Sequence, residues 1–124
     1  MKKIIRFLPA IIWMSIIFYF SSRQTTGIGG DSYWLRFAIL KSFHVIEYAT
    51  LFVFIFFGFQ KFSLSILISY FYGVSDEIHQ SFVVGRTSRF RDTLFDLLGI
   101  IIGFLFLKFI ILPLLTKIKL SKKS

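Results

Sequence analysis

Three short groups of residues carry the chemistry open to this chain. His44-x-x-Glu47 with Tyr48 comes first, Asp76, Glu77, His79 and Gln80 second, and Arg86, Arg89, Arg91, Asp92 and Asp96 third. An imidazole with a carboxylate near it is a general-base arrangement, and arginines can steady a phosphoryl oxyanion. His44, Glu47, Asp76 and His79 are therefore the candidate catalytic groups for hydrolysis or transfer. Their spacing is not that of a helical His-Glu-x-x-His zinc site, so no metal and no cofactor is expected. The letters "DEIH" also occur in a helicase box, yet no phosphate-cradling glycine loop ending in Lys-Ser/Thr accompanies them.

Two other uses of the same residues stand beside catalysis. Arginines grip phosphate or carboxylate in bidentate fashion, and Asp76, Glu77 and Gln80 would accept from sugar or amide donors, which makes a binding cup. Alternatively Asp76, Glu77, Asp92 and Asp96 pair with Arg86, Arg89, Arg91 and Lys41 to lock the fold. Such buried pairs usually break even energetically.

What must position these groups is a membrane protein. The 124 residues are 56% hydrophobic and include 18 phenylalanines, with a mean hydropathy of +0.76. A soluble domain of this size buries only about two-thirds of its surface and could not hide that much apolar area. Apolar runs near bilayer length predict four transmembrane spans: about Ile4 to Ser22, Leu35 to Phe59, Leu64 to His79 and Arg91 to Leu115. The expected fold is an all-α, antiparallel four-helix bundle over residues 1–115, closed by a frayed basic tail over 116–124. The N-terminal run is longer than a signal-peptide core and lacks a small-x-small cleavage site, so it reads as an uncleaved anchor. "QK" at residues 60–61 is a tight turn, and the loops at 23–32 and 81–90 are polar.

The net charge of +9 sits largely at the two termini. That placement suits head groups and topology rather than nucleic acid, for which no recognition motif is present. All six acids fall on one side of the predicted spans, so the other side keeps unbalanced positive charge and both termini are expected in the cytoplasm. Cysteine is absent.

Antiparallel spans bring the polar groups to one membrane face. Ser21, Ser22 and Arg23 end the first span, and Lys41, His44, Glu47 and Tyr48 lie early in the second. Asp76, Glu77, His79 and Gln80 end the third; Arg91, Asp92 and Asp96 begin the fourth. His44 shares a helix face with Glu47 and Tyr48. Ser69, Tyr72, Gly73, Asp76 and Gln80 form another stripe, and both tyrosines are expected to bond to the cup. Asp92, Asp96, Gly99 and Gly103 form a third, whose Gly99-xxx-Gly103 pair allows close helix approach or a homodimer. Charges this deep must face one another rather than lipid.

"FYFSSR", "KSFHVIEYATL" and "SDEIHQSFVVGR…RDTLFDLLG" together resemble the VanZ-like family of small bacterial membrane proteins, over roughly Phe7 to Gly103. Val84 stands where that family usually has proline, and Asp96 where asparagine is frequent. The resemblance implies the bacterial cell envelope and glycopeptide resistance, because the family takes its name from a protein that lowers susceptibility to teicoplanin. The expected partners are then membrane lipids and an amphiphile such as a lipid-linked cell-wall precursor, a glycolipid or a lipoglycopeptide.

Overall fold

The computed structural model describes residues 2–21, 30, 32–83 and 92–123, and every regular element among them is helical. A first turn, α1 (Lys2–Ile5), leads into α2 (Leu8–Ser21). The break between them follows from Pro9, which has no N–H to give to Ile5 and is tolerated only in a first turn. Helix α3 (Tyr33–Phe59) is capped by Ser32, whose hydroxyl accepts from the Leu35 N–H at 3.3 Å. It ends at Gln60, which takes the left-handed conformation (φ 60°) and donates its N–H to the Phe56 carbonyl at 2.7 Å. Lys61 is extended and reverses the chain into α4 (Phe62–Gln80). The expected two-residue turn is therefore present.

Helix α5 (Asp92–Phe106), a π-helical turn (Leu107–Ile111) and α6 (Leu112–Lys123) run on without interruption. The wide turn has a cause in Pro113, whose ring would press on the carbonyl four residues back. In it the Leu112 N–H bonds to the Leu107 carbonyl, five residues back. Residues 116–123 were expected to fray and are helical instead. Leu, Ile and Lys favour helix, and lysines complement the negative end of its dipole.

Among the described residues three stretches are long and apolar enough to cross a membrane: Lys3–Ser21, Tyr33–Phe59 and Thr93–Lys123. Helix α4 occupies the expected third span, but its length and composition alone do not qualify it. It carries the serines and the acids, and its buried face is Ser65, Ser69, Gly73, Asp76, Glu77 and Gln80. Its polar side is thus turned inward.

Packing at the centre is set by glycine. A Cβ built on Gly99 would lie 2.5 Å from the Val45 carbonyl oxygen, and one on Gly103 2.6 Å from that of Ala49. Helices α3 and α5 therefore touch backbone to backbone. This face is used inside the chain, which corrects the expectation that it could serve a homodimer. Leu51, Phe52, Ile55, Phe56, Ile100 and Leu107 fill the core beyond it. Phe62 stacks on Phe56 (4.6 Å between centroids) and meets Phe104 edge-on (5.1 Å). Helix α2 is attached along its length by polar hooks: Trp13 Nε1 donates to the Glu47 carbonyl (2.9 Å), the Tyr72 hydroxyl donates to that of Met14 (2.6 Å), and the Ser21 hydroxyl donates to Asp76.

Because the atoms met are backbone, the neighbouring helix cannot yield locally. Gly99→Ala and Gly103→Ala should each cost about 1–3 kcal/mol, the usual range for overpacking, in reversible unfolding from detergent micelles. A loss below a few tenths would mean that α5 does not sit this close.

Candidate functional site

At the end of the bundle where α2 and α4 finish and α5 begins, two carboxylates gather the side chains. Asp76 accepts from three donors on three helices: the Ser21 hydroxyl of α2 on Oδ1, and on Oδ2 the Tyr48 hydroxyl of α3 (3.1 Å) and Gln80 Nε2, one turn along α4 (3.0 Å). It is 4% exposed. Asp96 of α5 is 1% exposed, and its Oδ1 lies 3.0 Å from His44 Nδ1 of α3. One proton holds that pair together, whichever partner carries it. The other oxygen, Oδ2, is buried with no hydrogen-bond partner among the described residues.

Local sequence explains the assembly. His44 and Tyr48 are one turn apart on α3, with rings parallel to within 2° and 6.4 Å between centroids, so one helix face serves both carboxylates. Gly73 makes room for them: a Cβ there would come within 3.0 Å of Asp96 Oδ2 and 3.3 Å of the Tyr48 ring. An alanine at that position would require the Asp96 and Tyr48 side chains to give way by a few tenths of an ångström.

Of the residues singled out from the sequence, His44, Tyr48, Asp76, Gln80 and Asp96 meet in this cluster. Glu77 is buried in the same turn, and Glu47 is half-buried on α3. Lys41 is half-buried with its ammonium over the rings of Phe37 (5.7 Å) and Phe95 (5.3 Å). His79 turns away from the carboxylates. Its ring stacks on Phe18 of α2 at 4.2 Å, and its buried Nδ1 has no partner among the described residues. Tyr72, expected in the cup, instead bolts α4 to α2 through Met14. Ser22, Arg23, Arg86, Arg89 and Arg91 lie outside the described residues, as does the side chain of Asp92.

Among the described residues no three His, Cys, Asp or Glu side chains are grouped to hold a metal ion. His44 and His79 belong to different surroundings and do not form one base pair. The sequence analysis missed Ser21 as a partner of Asp76, although its place at the end of the first span was the clue. It also missed Thr93, buried at 2% on the second turn-face of α5, and Lys108, which lies exposed in the apolar stretch over the rings of Phe104 (5.6 Å) and Phe109 (5.7 Å).

An apolar groove runs up to this site from the side. Ile11, Met14, Ser15 and Phe18 of α2 and Tyr72 of α4 line about 370 Å³ of it. Its upper end is the Phe18 ring that carries His79.

The family model described as VanZ/LLP1 matches residues 6–112. No curated protein and no solved structure matches the chain.

The network has a measurable order of importance. Ser21→Ala and Tyr48→Phe each remove one donor and should cost about 0.6 kcal/mol, at most about 1.7, as interhelical hydrogen bonds in membranes do. Asp76→Ala strands three donors and should cost more, about 1–3 kcal/mol. Unfolding of the purified variants in micelles checks the ranking, which fails if Asp76→Ala is the mildest.

Proposed function

The chain belongs to the VanZ/LLP1 family, and from that premise we propose that it is a multi-pass protein of the bacterial cell membrane that binds an amphiphilic envelope molecule. In this reading α4 crosses as a fourth span, both termini are cytoplasmic, and the carboxylate end of the bundle faces outward. The ligand is a lipid-linked cell-wall glycan, a glycolipid or a lipoglycopeptide, and the consequence is tolerance of glycopeptides such as teicoplanin.

The observation that carries the reading is the largely apolar groove between α2 and α4, whose Phe18 wall is also the stacking partner of His79. Its walls suit an acyl chain. On the far side of Phe18 the buried His79 Nδ1 has no partner among the described residues, and an unpaired buried polar atom is costly unless a ligand or water satisfies it. Ser21 and Asp76 are close by on the same two helices. A molecule with a hydrocarbon tail and a hydrogen-bonding head matches that sequence of surfaces.

A second reading is favoured by one specific contact. His44 Nδ1 against Asp96 Oδ1 is the geometry by which a carboxylate orients an imidazole base, leaving Nε2 to take a proton. The chain would then be a membrane-embedded hydrolase or transferase acting on a phosphate-containing lipid-linked substrate, with the loop arginines stabilising the phosphoryl group.

The two readings separate on different histidines. Teicoplanin binding to the purified protein in lipid nanodiscs should weaken about tenfold or more in His79→Ala and Phe18→Ala, with melting temperatures within a few degrees of wild type. Equal binding by all three proteins removes the binding proposal. Turnover of a lipid-linked saccharide by wild type, lost in His44→Gln, would install the enzyme in its place.

A further inference from the structure

The opposite end of the bundle holds a second amphiphile-shaped surface, built from different residues. Ile5, Arg6 and Pro9 face Phe57 and Gln60 across about 600 Å³. Directly below, Ile5, Leu8, Pro9, Ile12 and Trp13 face Phe54 across about 380 Å³. Ile5 and Pro9 line both, so the two are one groove with a polar mouth and an apolar shaft. We infer that this groove is a binding site for an anionic phospholipid, with the lipid phosphate on Arg6 and an acyl chain laid against Pro9, Trp13 and Phe54.

Four observations select that occupant. Arg6 is exposed and, among the described residues, has neither an ion pair nor a hydrogen bond. A guanidinium at a groove mouth is matched to a phosphate, which it can grip through two parallel N–H donors. Among the described residues no acid pairs with it. The six acids are Asp31, Glu47, Asp76, Glu77, Asp92 and Asp96, and the nearest along α3, Glu47, is thirteen positions from Gln60, about 20 Å of helix. Lys3 and Lys61 add positive charge at the same end.

The mouth is also preshaped. Gln60 is fixed by its left-handed backbone and by donation from Nε2 to the Phe57 carbonyl at 3.0 Å, which leaves its Oε1 and a second amide hydrogen turned to a head group. Ile5, Leu8 and Ile12 on the groove's rim are 65%, 51% and 51% exposed, so the shaft opens sideways. A site entered from the side, within the apolar layer, selects a lipid over a soluble phosphate.

Trp13 in the shaft supplies the readout. The only other tryptophan, Trp34, is 75% exposed at the far part of α3 and can be replaced in a Trp34→Phe background. Reconstituted with acyl-brominated lipids, this protein should show Trp13 quenched by phosphatidylglycerol at an about tenfold lower mole fraction than by phosphatidylcholine, the worth of one charge-assisted contact. Arg6→Gln should bring the two lipids level, and Lys3→Gln, which does not line the groove, should leave the preference in place. Equal quenching by both lipids in the parent protein overturns the site. So does a preference that survives Arg6→Gln, or one that Lys3→Gln abolishes as completely, since diffuse basic charge would then account for it. Teicoplanin binding at the other groove is untouched by either result.

Discussion

Two buried carboxylates fix how the four main helices stand against one another. Apolar surface gives membrane helices little reason to associate, since lipid tails solvate leucine as well as a neighbouring helix does. What remains is close packing and hydrogen bonding. Asp76 binds donors from α2, α3 and its own helix, and Asp96 binds α3 from α5. Each of these contacts fails if its helix slides by one residue, because a shift of about 1.5 Å and 100° carries the donor off the carboxylate. The cluster therefore sets rotation and register together, and the glycine contact between α3 and α5 fits only at that register.

The same constraint explains why grooves lie along α2. That helix buries only Ala10, Ile17 and Ser21, a seam one residue wide, and meets the others through Trp13, Tyr72 and Ser21. Isolated hooks hold a helix without sealing its flanks. One flank opens towards Tyr72 and the other towards Phe54. The chain's polarity divides them: His79 stacks on the Phe18 wall of the first, and Arg6 lines the mouth of the second. Both are largely apolar channels, with a different polar residue beside each.

Much of this was legible in the residues, because in a greasy chain the few polar side chains carry nearly all the orientation. His44 with Tyr48, Asp76 with Gln80, and Gly99 with Gly103 each read as one helix face, and each pair lies on one contact surface of the structure. Helix ends were placed to within two residues except at the start of α2, where a turn at residues 6–7 ahead of Pro9 delays it to Leu8, and at the last. There a proline normally argues for a stop, whereas a π turn absorbs it. Uniformly apolar helices carry no such signal, so the narrow seam of α2 and its partnership through Ser21 could not be read. His79 shows the limit of spacing arguments. Three residues from Asp76 places it about 60° around the helix, enough to leave the cluster and reach Phe18 on the neighbouring helix.

The two carboxylates are not equivalent, and the difference bears on what the cluster is for. Asp76 is the better satisfied, with both oxygens accepting from neutral donors supplied by three helices. Such a group is expensive to disturb, which marks it as the lock of the bundle. Asp96 has one oxygen on His44 and, among the described residues, no hydrogen-bond partner on the other, which lies against Gly73. A methyl group at residue 73 would meet that oxygen at 3.0 Å, so the small residue and the half-bonded carboxylate go together. An unsatisfied buried oxygen costs free energy, and the bundle therefore leans on the first carboxylate more than on the second.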